Sequence, residues 1–504
     1  MQMIRTKILA TMGPAVATPE VLYSIFEAGV GICRLNFSHG SLSEHLETLK
    51  VIRETAKRFD HPVAVLGDLC GPKIRLGKVA DVGGTGGMPV NVGDEIIVQR
   101  DPILGAKGRV STILETFVDD VKIGDRVLVE DGMLRFLVTE KSRNEIKMSC
   151  NVGGILKSSK GINLPSTAIN VPSITDRDWE CVDWAIENKL DFLALSFVRH
   201  ANDLELLRSH LQAKKAPMIG LIAKIEKAEA IQELDAIIEA SDGLMVARGD
   251  LGVEMDASQV PIMQKDMIAR CQKAGKPVIV ATQMLQSMVE QATPTRAEVS
   301  DVANAIFDGT DAVMLSAETS VGKFPIVAVH TLSHTATVTE EYLDTHKPNN
   351  AEPPKLARLN NTTTALARGA WRIVNDLKIK MVVIWSQSGQ TARVFSKHHF
   401  HCPIITLSSD ATVLRQLALH YGIITHQMEK PRVMGELFAS VDDMLISRKY
   451  AAAGDCILLI AGWSPAMPDT MNGIIIHTVG QRWAAISPTG DAHPTSAVTT
   501  ESIQ

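Results

Sequence analysis

The sequence predicts an α/β protein in three parts: a closed (β/α)8 barrel, an all-β domain inserted into it, and a smaller α/β domain after it. Three observations carry this expectation. Eight short apolar runs each end in a turn with polar or charged groups. After Asp68, helix-like patterning vanishes until about Asp176. Strand–helix alternation then resumes beyond a stretch rich in Pro and Asn.

The eight runs are 6–12, 30–37, 63–69, 192–198, 219–225, 243–249, 277–283 and 312–318. Most are separated by one helix-like stretch, such as Pro19 to Gly29 and Ala228 to Ala240. Continuous apolar strands alternating with helices imply a parallel sheet buried on both faces. An open doubly wound sheet is the competing architecture. Functional-looking residues at nearly every strand end favour closure, because a barrel gathers those ends at one mouth.

The gap in the rhythm holds Val92 to Val98, Asp125 to Thr139 and Glu145 to Val152, hairpin-like runs with Gly and Asp turns. Barrel residues are therefore expected at 1–70 and 170–346, with 71–169 forming a β lid over the mouth. Gly83-Gly84-Thr85-Gly86-Gly87 lacks the Gly-Lys-Ser/Thr ending of a phosphate loop and reads as a lid turn. Thr175 with Asp178, and Thr295 with Glu298, read as capping boxes. Residues 347–361 read as a linker, 362–483 as the C-terminal α/β domain, and 484–504, rich in Ser, Thr, Ala and Pro, as a mobile tail. In the third domain the expected strands are Met381 to Trp385, Pro403 to Thr406 and Cys456 to Ala461.

At 504 residues the chain is too long for one ordinary core. Its 51 Lys and Arg against 57 Asp and Glu give a net charge of −6, which argues against sequence-independent nucleic-acid binding. Anions must be held by local Lys, Arg and backbone N–H groups. The seven cysteines, at 33, 70, 150, 181, 271, 402 and 456, are scattered and lack C-x-x-C spacing. That pattern suits free thiols in a reducing compartment. No signal-peptide pattern precedes Thr6 and no run reaches membrane-spanning length, so the expected location is the cytoplasm, with no membrane partner. The sequons at Asn36, Asn360 and Asn361 are read as chance.

The chemistry concentrates at consecutive strand ends. Alternation puts Lys224 and Glu226 on one side of a strand, and Asp250 arrives from the next strand end. An ammonium beside two carboxylates in an apolar setting suits a divalent metal and a phosphoryl group. Alone, Lys224-Ile225-Glu226 is more often a surface ion pair. The company changes that: Arg34 to Gly40, Gly67 to Arg75, Ala281 to Met284 and Ser316 to Thr319 converge on the same mouth if the barrel closes.

Thr6-Lys7-Ile8…Gly13-Pro14, Arg34-Leu35-Asn36-Phe37-Ser38-His39-Gly40, Lys224-Ile225-Glu226, the run Met245 to Glu254, Ala281-Thr282-Gln283-Met284-Leu285 and Pro294-Thr295-Arg296-Ala297-Glu298 together resemble the pyruvate kinase family, in its order and spacing, from residue 4 to about 480. The resemblance implies a TIM barrel with a β lid and a C-terminal regulatory domain. It implies transfer of a phosphoryl group from phosphoenolpyruvate to ADP in glycolysis, giving pyruvate and ATP. It also implies a homotetramer.

Position by position, the resemblance implies that Glu226 and Asp250 hold Mg2+, for which Mn2+ can substitute. Lys224 faces the moving phosphoryl group and Arg34 binds the substrate phosphate. Gly249 brings backbone N–H groups to the substrate carboxylate, and Thr282 lies beside the carbon that gains a proton. Asn36, Phe37, Ser38, His39, Arg75 and Lys160 resemble nucleotide-side residues. His39 is given no proton-transfer role, and Cys70 is expected to be an inert thiol. The third strand end departs from the commonest family pattern, which has Thr and Glu where this chain has Leu69 and Lys73. It resembles a branch that works without K+. The Lys73 ammonium is expected to stand where the ion would lie, near Asn36, Ser38 and Asp68.

In the third domain, Trp385 to Arg393 runs from strand to helix and includes Ser386, Ser388, Gly389 and Thr391. An ordinary helix cap is the plain reading. The resemblance implies a sugar-phosphate effector there, of open identity because the second effector loop, Gly462 to Met467, lacks the family's glycines. Two alternatives remain at this stage: a Mg2+-dependent aldolase or lyase acting on pyruvate enolate, and an inactive sugar-phosphate sensor. The first would lack the lid and third domain; Lys224, Glu226, Asp250 and Thr282 count against the second.

Overall fold

Eight parallel strands close into a barrel: Lys7–Thr11, Val30–Asn36, Ala64–Asp68, Phe192–Leu195, Gly220–Ile225, Gly243–Ala247, Val278–Ala281 and Ala312–Leu315. The structure is a computed structural model that describes residues 4–165, 167, 171–216, 218–346, 356, 361–462 and 472–481. Each strand pairs with its neighbours in sequence, and the first pairs with the eighth in the register Lys7–Ala312 to Ala10–Leu315. That last pairing excludes the open-sheet alternative. The strands read as apolar runs because both faces are covered. Leu9, Ile32, Leu66, Ile222, Met245 and Ile279 fill the interior, while alternate residues pack under the surrounding helices.

Local chemistry sets where the helices begin. Ser41 with Glu44, Thr175 with Asp178, and Thr295 with Glu298 each form a reciprocal capping box. Gly67 in the third strand is a packing requirement, since a Cβ there would lie 2.7 Å from the Phe37 ring.

Between the third and fourth strands the chain builds a six-stranded sheet and a separate two-stranded pair around their own apolar core. The expectation of no helix in this segment is corrected by a short one, Phe117–Asp120. Its four residues are too few to show a helical period in sequence. The lid docks on the barrel through Asn163, whose side-chain amide donates to Glu254 at 3.2 Å; Lys227 also binds Glu254, at 2.8 Å.

The C-terminal domain is a five-stranded sheet in the order Ile423–Gln427, Ile404–Ser408, Val382–Trp385, Cys456–Ala461, Gly473–Thr478, with only the last strand antiparallel. Two of these strands, Ile423–Gln427 and Gly473–Thr478, were not anticipated. This domain closes the barrel floor: Ala418 and Leu419 join the interior cluster. Lys397, fully buried, bonds both carboxylate oxygens of Asp311 at 2.6 Å, and Arg415 binds Asp191 at 2.7 Å. Asp311 and Asp191 sit just before the eighth and fourth strands and also accept the strand N–H groups of Val278 and Val65. Residues 463–470 and 482–504, which include most of the second effector loop and the expected tail, lie outside the described residues, as does most of the 347–361 linker. Among the described residues no helix is long and apolar enough to cross a membrane.

Candidate active site

Lys224 lies near the end of the fifth strand, at the mouth, with its ammonium 2.9 Å from Glu226 and 3.1 Å from Asp68. Arg34, from the second strand, binds Asp68 at 2.7 Å and donates to Thr11 Oγ1 at 3.0 Å. Four charged side chains from three strands thus form one chain: Arg34, Asp68, Lys224 and Glu226. Asp68 and Glu226 are almost wholly buried.

Burial alone would lower the Lys224 proton affinity, but the Asp68 and Glu226 carboxylates outweigh it and hold the ammonium charged. Burial opposes the Asp68 charge too, yet Lys224 and Arg34 keep that carboxyl below its ordinary range. Glu226 behaves differently. Burial raises its proton affinity, Lys224 works against the rise, and the nearby Asp250 charge adds to it. A buried carboxylate beside a second carboxylate suits a cation between them.

Asp250 lies in the short helix Arg248–Glu254 that follows the sixth strand, and it lines the mouth. Its carboxylate has no hydrogen bond or ion pair among the described residues. Glu226 spends one oxygen on Lys224 and the other on the Phe197 N–H at 2.7 Å, keeping lone pairs on each. This donor set fits a hard dication that takes two protein carboxylates and fills its remaining positions from substrate and water.

Two neighbouring turns hold the site in unusual backbone conformations. Thr282 and Gln283 have φ of 70° and 55°. A β-branched residue there is strained, and the surroundings must impose it. Arg248 does so: its guanidinium donates to the carbonyls of Ala281 and Thr282 and pairs with Asp301 at 2.7 Å. Gly249 was expected to let backbone N–H groups approach the substrate carboxylate; its own N–H donates to Thr282 Oγ1 at 2.8 Å, and a Cβ on Gly249 would stand 3.4 Å from that oxygen. The second turn is Ser196-Phe197, where Phe197 has φ of 53°. Ser196 Oγ binds Lys224 at 2.6 Å and donates to the Leu69 carbonyl at 2.7 Å.

Ser196, Phe197 and Arg248 were missed in the sequence. The first two sit in an apolar run that reads simply as strand, and Arg248 precedes Gly249 in a turn whose interest lay in Asp250.

The nucleotide-side expectations land unevenly. Asn36 and Ser38 are half-buried at the mouth, with Asn36 Oδ1 accepting the Ser38 N–H at 3.2 Å, and His39 is exposed. The Phe37 side chain is buried against His45 and Trp184, so only its backbone is free to serve a ligand. Arg75 donates to the Ser159 carbonyl, and Lys160 pairs with Glu130 at 2.6 Å within the lid. Lys73 is exposed and lines two adjoining cavities of the mouth, about 50 and about 340 Å3. Its ammonium bonds none of Asn36, Ser38 or Asp68, which departs from the expected position: Asp68 is already taken by Arg34 and Lys224. Cys70 is half-buried and burial pushes its thiol up, as expected for an inert thiol. In the C-terminal domain, Ser386, Gly389 and Thr391 are buried and Ser388 is exposed. Gly389 has φ of 76°, and a Cβ there would meet Val413 at 2.9 Å.

Comparison with known proteins agrees across both large domains. Residues 3–329 match the family described as pyruvate kinase, barrel domain, and residues 364–477 match pyruvate kinase, alpha/beta domain. The pyruvate kinase of Geobacillus stearothermophilus is 38% identical over 477 residues, 94% of this chain and 80% of that protein. That of Bacillus licheniformis is 38% identical over 480 residues, covering 95% and 81%. Among solved structures, a pyruvate kinase from Cryptosporidium parvum superposes with a TM-score of 0.86 at 32% identity, covering 94% of this chain and 96% of that one.

Proposed function

This chain belongs to the pyruvate kinase family, and from that premise we propose how its own residues divide the work of moving the phosphoryl group of phosphoenolpyruvate to ADP. The enzyme is a phosphotransferase, and its products are pyruvate and ATP. The observation that carries the assignment of roles is the chain Arg34–Asp68–Lys224–Glu226 beside an unengaged Asp250.

Arg34 binds the phosphate of phosphoenolpyruvate, and Asp68 aims its guanidinium. Lys224, kept charged by two carboxylates, faces the transferring group, whose negative charge spreads over its oxygens in a loose transition state. Glu226 and Asp250 would hold Mg2+, or Mn2+ in its place, which when bound supplies positive charge to the enolate and phosphoryl oxygens. Thr282 sits with Gly249 beside the carbon that is protonated, its hydroxyl oriented by the Gly249 N–H and the Ala281 carbonyl. The lid excludes water, with Asn163 and Lys227 both anchored on Glu254. The cleft under it is lined by Lys73, Phe197, Lys227 and Asp250.

Asn36, Ser38, His39 and Arg75 take the nucleotide side, with the Phe37 backbone, and Lys160 approaches from the lid. Leu69 is buried and offers no side-chain oxygen, and Lys73 has no hydrogen-bond or ion-pair partner among the described residues; both support an enzyme that does not need K+. Lys73 then serves by drawing toward the ADP phosphates rather than by filling an ion's place. Ser388, with Ser386, Gly389 and Thr391 behind it, serves a sugar-phosphate effector. Exposed Val338 and Tyr342 on the helix Pro325–His346 support assembly into a homotetramer. Its cysteines are all free thiols, which fits a reducing, cytoplasmic compartment. The barrel (1–70 and 170–346), lid (71–169) and effector domain (362–483) are the proposed units. A coupled assay of pyruvate formation that varies ADP, Mg2+ and K+ separately tests this reading. Activity must require ADP and the dication.

A further inference from the structure

The two carboxylates proposed for the metal come from different elements, so something must set the distance between them. Glu226 directly follows the fifth strand, and Asp250 sits in the short helix Arg248–Glu254 after the sixth. Backbone pairing between these strands ends at Ile225 with Val246, short of both carboxylates. Beyond that register, side chains must do the positioning. The start of the helix is tied away from Glu226, to the seventh strand end, through Arg248 and Gly249. Lys224, the cation bonded to Glu226, turns to Asp68 and Ser196.

Each segment carries one further charge. Lys227 follows Glu226 directly, and Glu254 lies one helical turn past Asp250, on the same face. The two meet: Lys227 Nζ donates to Glu254 Oε1 at 2.8 Å. Asn163 of the lid donates to the same oxygen at 3.2 Å. The Glu254 side chain is 1% exposed and that of Lys227 13%. Desolvating such a pair offsets much of its attraction, so placement explains it better than stability does. Lys227 is itself fixed at its base, where its carbonyl accepts the Ala230 N–H as the helix Ala228–Gln232 begins. Lys227, Asn163 and Asp250 border one cleft, so the tie runs along the edge of the site. The lid meets the same helix at a second point: a Cβ on Gly132 would stand 3.8 Å from Val253, the neighbour of Glu254.

We infer that Lys227 and Glu254 are positioning residues for the metal, their ion pair fixing the spacing between Glu226 and Asp250, with Asn163 of the docked lid bracing the same carboxylate. This role rests on the reading of Glu226 and Asp250 as the metal's carboxylates. Groups that orient such side chains without touching the ion typically change metal affinity roughly 10–100-fold. The pair also bears on which ion is preferred. Mg2+ demands near-ideal octahedral geometry, whereas Ca2+ tolerates a flexible shell. A fixed spacing therefore favours Mg2+, and a loosened one gives up Mg2+ affinity before Ca2+ affinity.

The test is Mn2+ binding to the full-length enzyme without substrate, followed by the paramagnetic resonance signal of free Mn2+, with Mg2+ and Ca2+ as competitors. The main variant combines Lys227→Met with Glu254→Gln, which breaks the pair without stranding a buried charge. Lys227→Arg keeps the pair, and Glu226→Gln is the reference for loss of a metal carboxylate. Melting temperatures are measured for all. The double variant should weaken Mn2+ and Mg2+ about tenfold or more and Ca2+ less, and Lys227→Arg should stay close to wild type. Wild-type affinities and an unchanged Mg2+-over-Ca2+ preference in the double variant, whatever its melting temperature, overturn the inference and leave the pair a structural tie. Glu226→Gln separates the two levels: if it loses the metal while the double variant keeps it, only the positioning role falls. If Glu226→Gln also keeps wild-type affinity, the metal reading falls with it. Should the double variant fail to fold, Glu254→Gln alone is judged by the same outcomes.

Discussion

Ser196 bridges Lys224 to the third barrel strand: its Oγ lies 2.6 Å from the Lys224 ammonium and donates to the Leu69 carbonyl at 2.7 Å. The next residue, Phe197, gives its N–H to Glu226. One left-handed turn therefore orients both the cation proposed to face the phosphoryl group and a carboxylate proposed for the metal.

The turn makes Ser196 a positioning residue. Ser196→Ala should lower kcat about tenfold with little change in KM for phosphoenolpyruvate, since a hydrogen bond to a charged group is worth about 1.5–3 kcal/mol. Ser196→Thr, which keeps the hydroxyl, should recover part of the loss. Steady-state kinetics on the three proteins check this, and a rise in KM at constant kcat would assign Ser196 to substrate binding instead.

Glu226 and Asp250 give the metal site a direction in pH. Burial and the Asp250 charge hold the Glu226 proton affinity above the ordinary carboxylate range despite Lys224. Protons therefore compete with the metal sooner than at a free carboxylate. As pH falls toward the raised value, the half-saturating Mg2+ concentration should rise. Glu226→Gln and Asp250→Asn should each weaken the metal sharply, because a hard dication wants carboxylate oxygen. Metal titrations from neutral to mildly acid pH decide this; unchanged half-saturation in both variants would remove these residues from the site.

Lys73 and Leu69 bear on the monovalent ion. In tetramethylammonium buffer without K+, activity should match that with K+. Lys73→Glu should lower K+-free activity and regain part of it when K+ is added, incompletely because Leu69 still lacks a hydroxyl. Strong stimulation of the wild type by K+ would return Lys73 to the role of a rim lysine.

The Lys397–Asp311 pair is buried on both sides and joins the C-terminal domain to the barrel floor. Lys397→Met should destabilise the protein by about 3–5 kcal/mol, because it strands a buried charge. Lys397→Met combined with Asp311→Asn should cost less than the single change. Urea unfolding of both variants measures the difference.

Much of this site was legible because barrel topology turns strand ends into neighbours. Lys224, Glu226, Asp250 and Thr282 could be grouped once eight strands were counted, and Arg34 followed from the second strand. What stayed hidden depends on side chains whose partners are far away in sequence. Ser196 reaches Lys224 across 28 residues, and Arg248 reaches Thr282 across 34. Neither has a period or a motif that marks it. Gly249 was assigned to the substrate carboxylate from the family resemblance; the left-handed Thr282 that takes its N–H could not be foreseen, since β-branched residues avoid that conformation. The seam beneath the barrel was invisible for the same reason. Lys397 and Asp311 are 86 residues apart, and each alone reads as a surface charge.

The most direct test of the account is Lys224→Met, assayed for two reactions on the same folded protein. One is pyruvate formation from phosphoenolpyruvate and ADP; the other is exchange of the methyl protons of pyruvate in the presence of Mg2+. Removing a preorganised charge aimed at the transition state should cut phosphoryl transfer on the order of a hundredfold or more, while proton exchange, which relies on Glu226, Asp250 and Thr282, persists. Phosphoryl transfer near the wild-type rate in that variant would contradict the role given to Lys224 and the division of labour built on it.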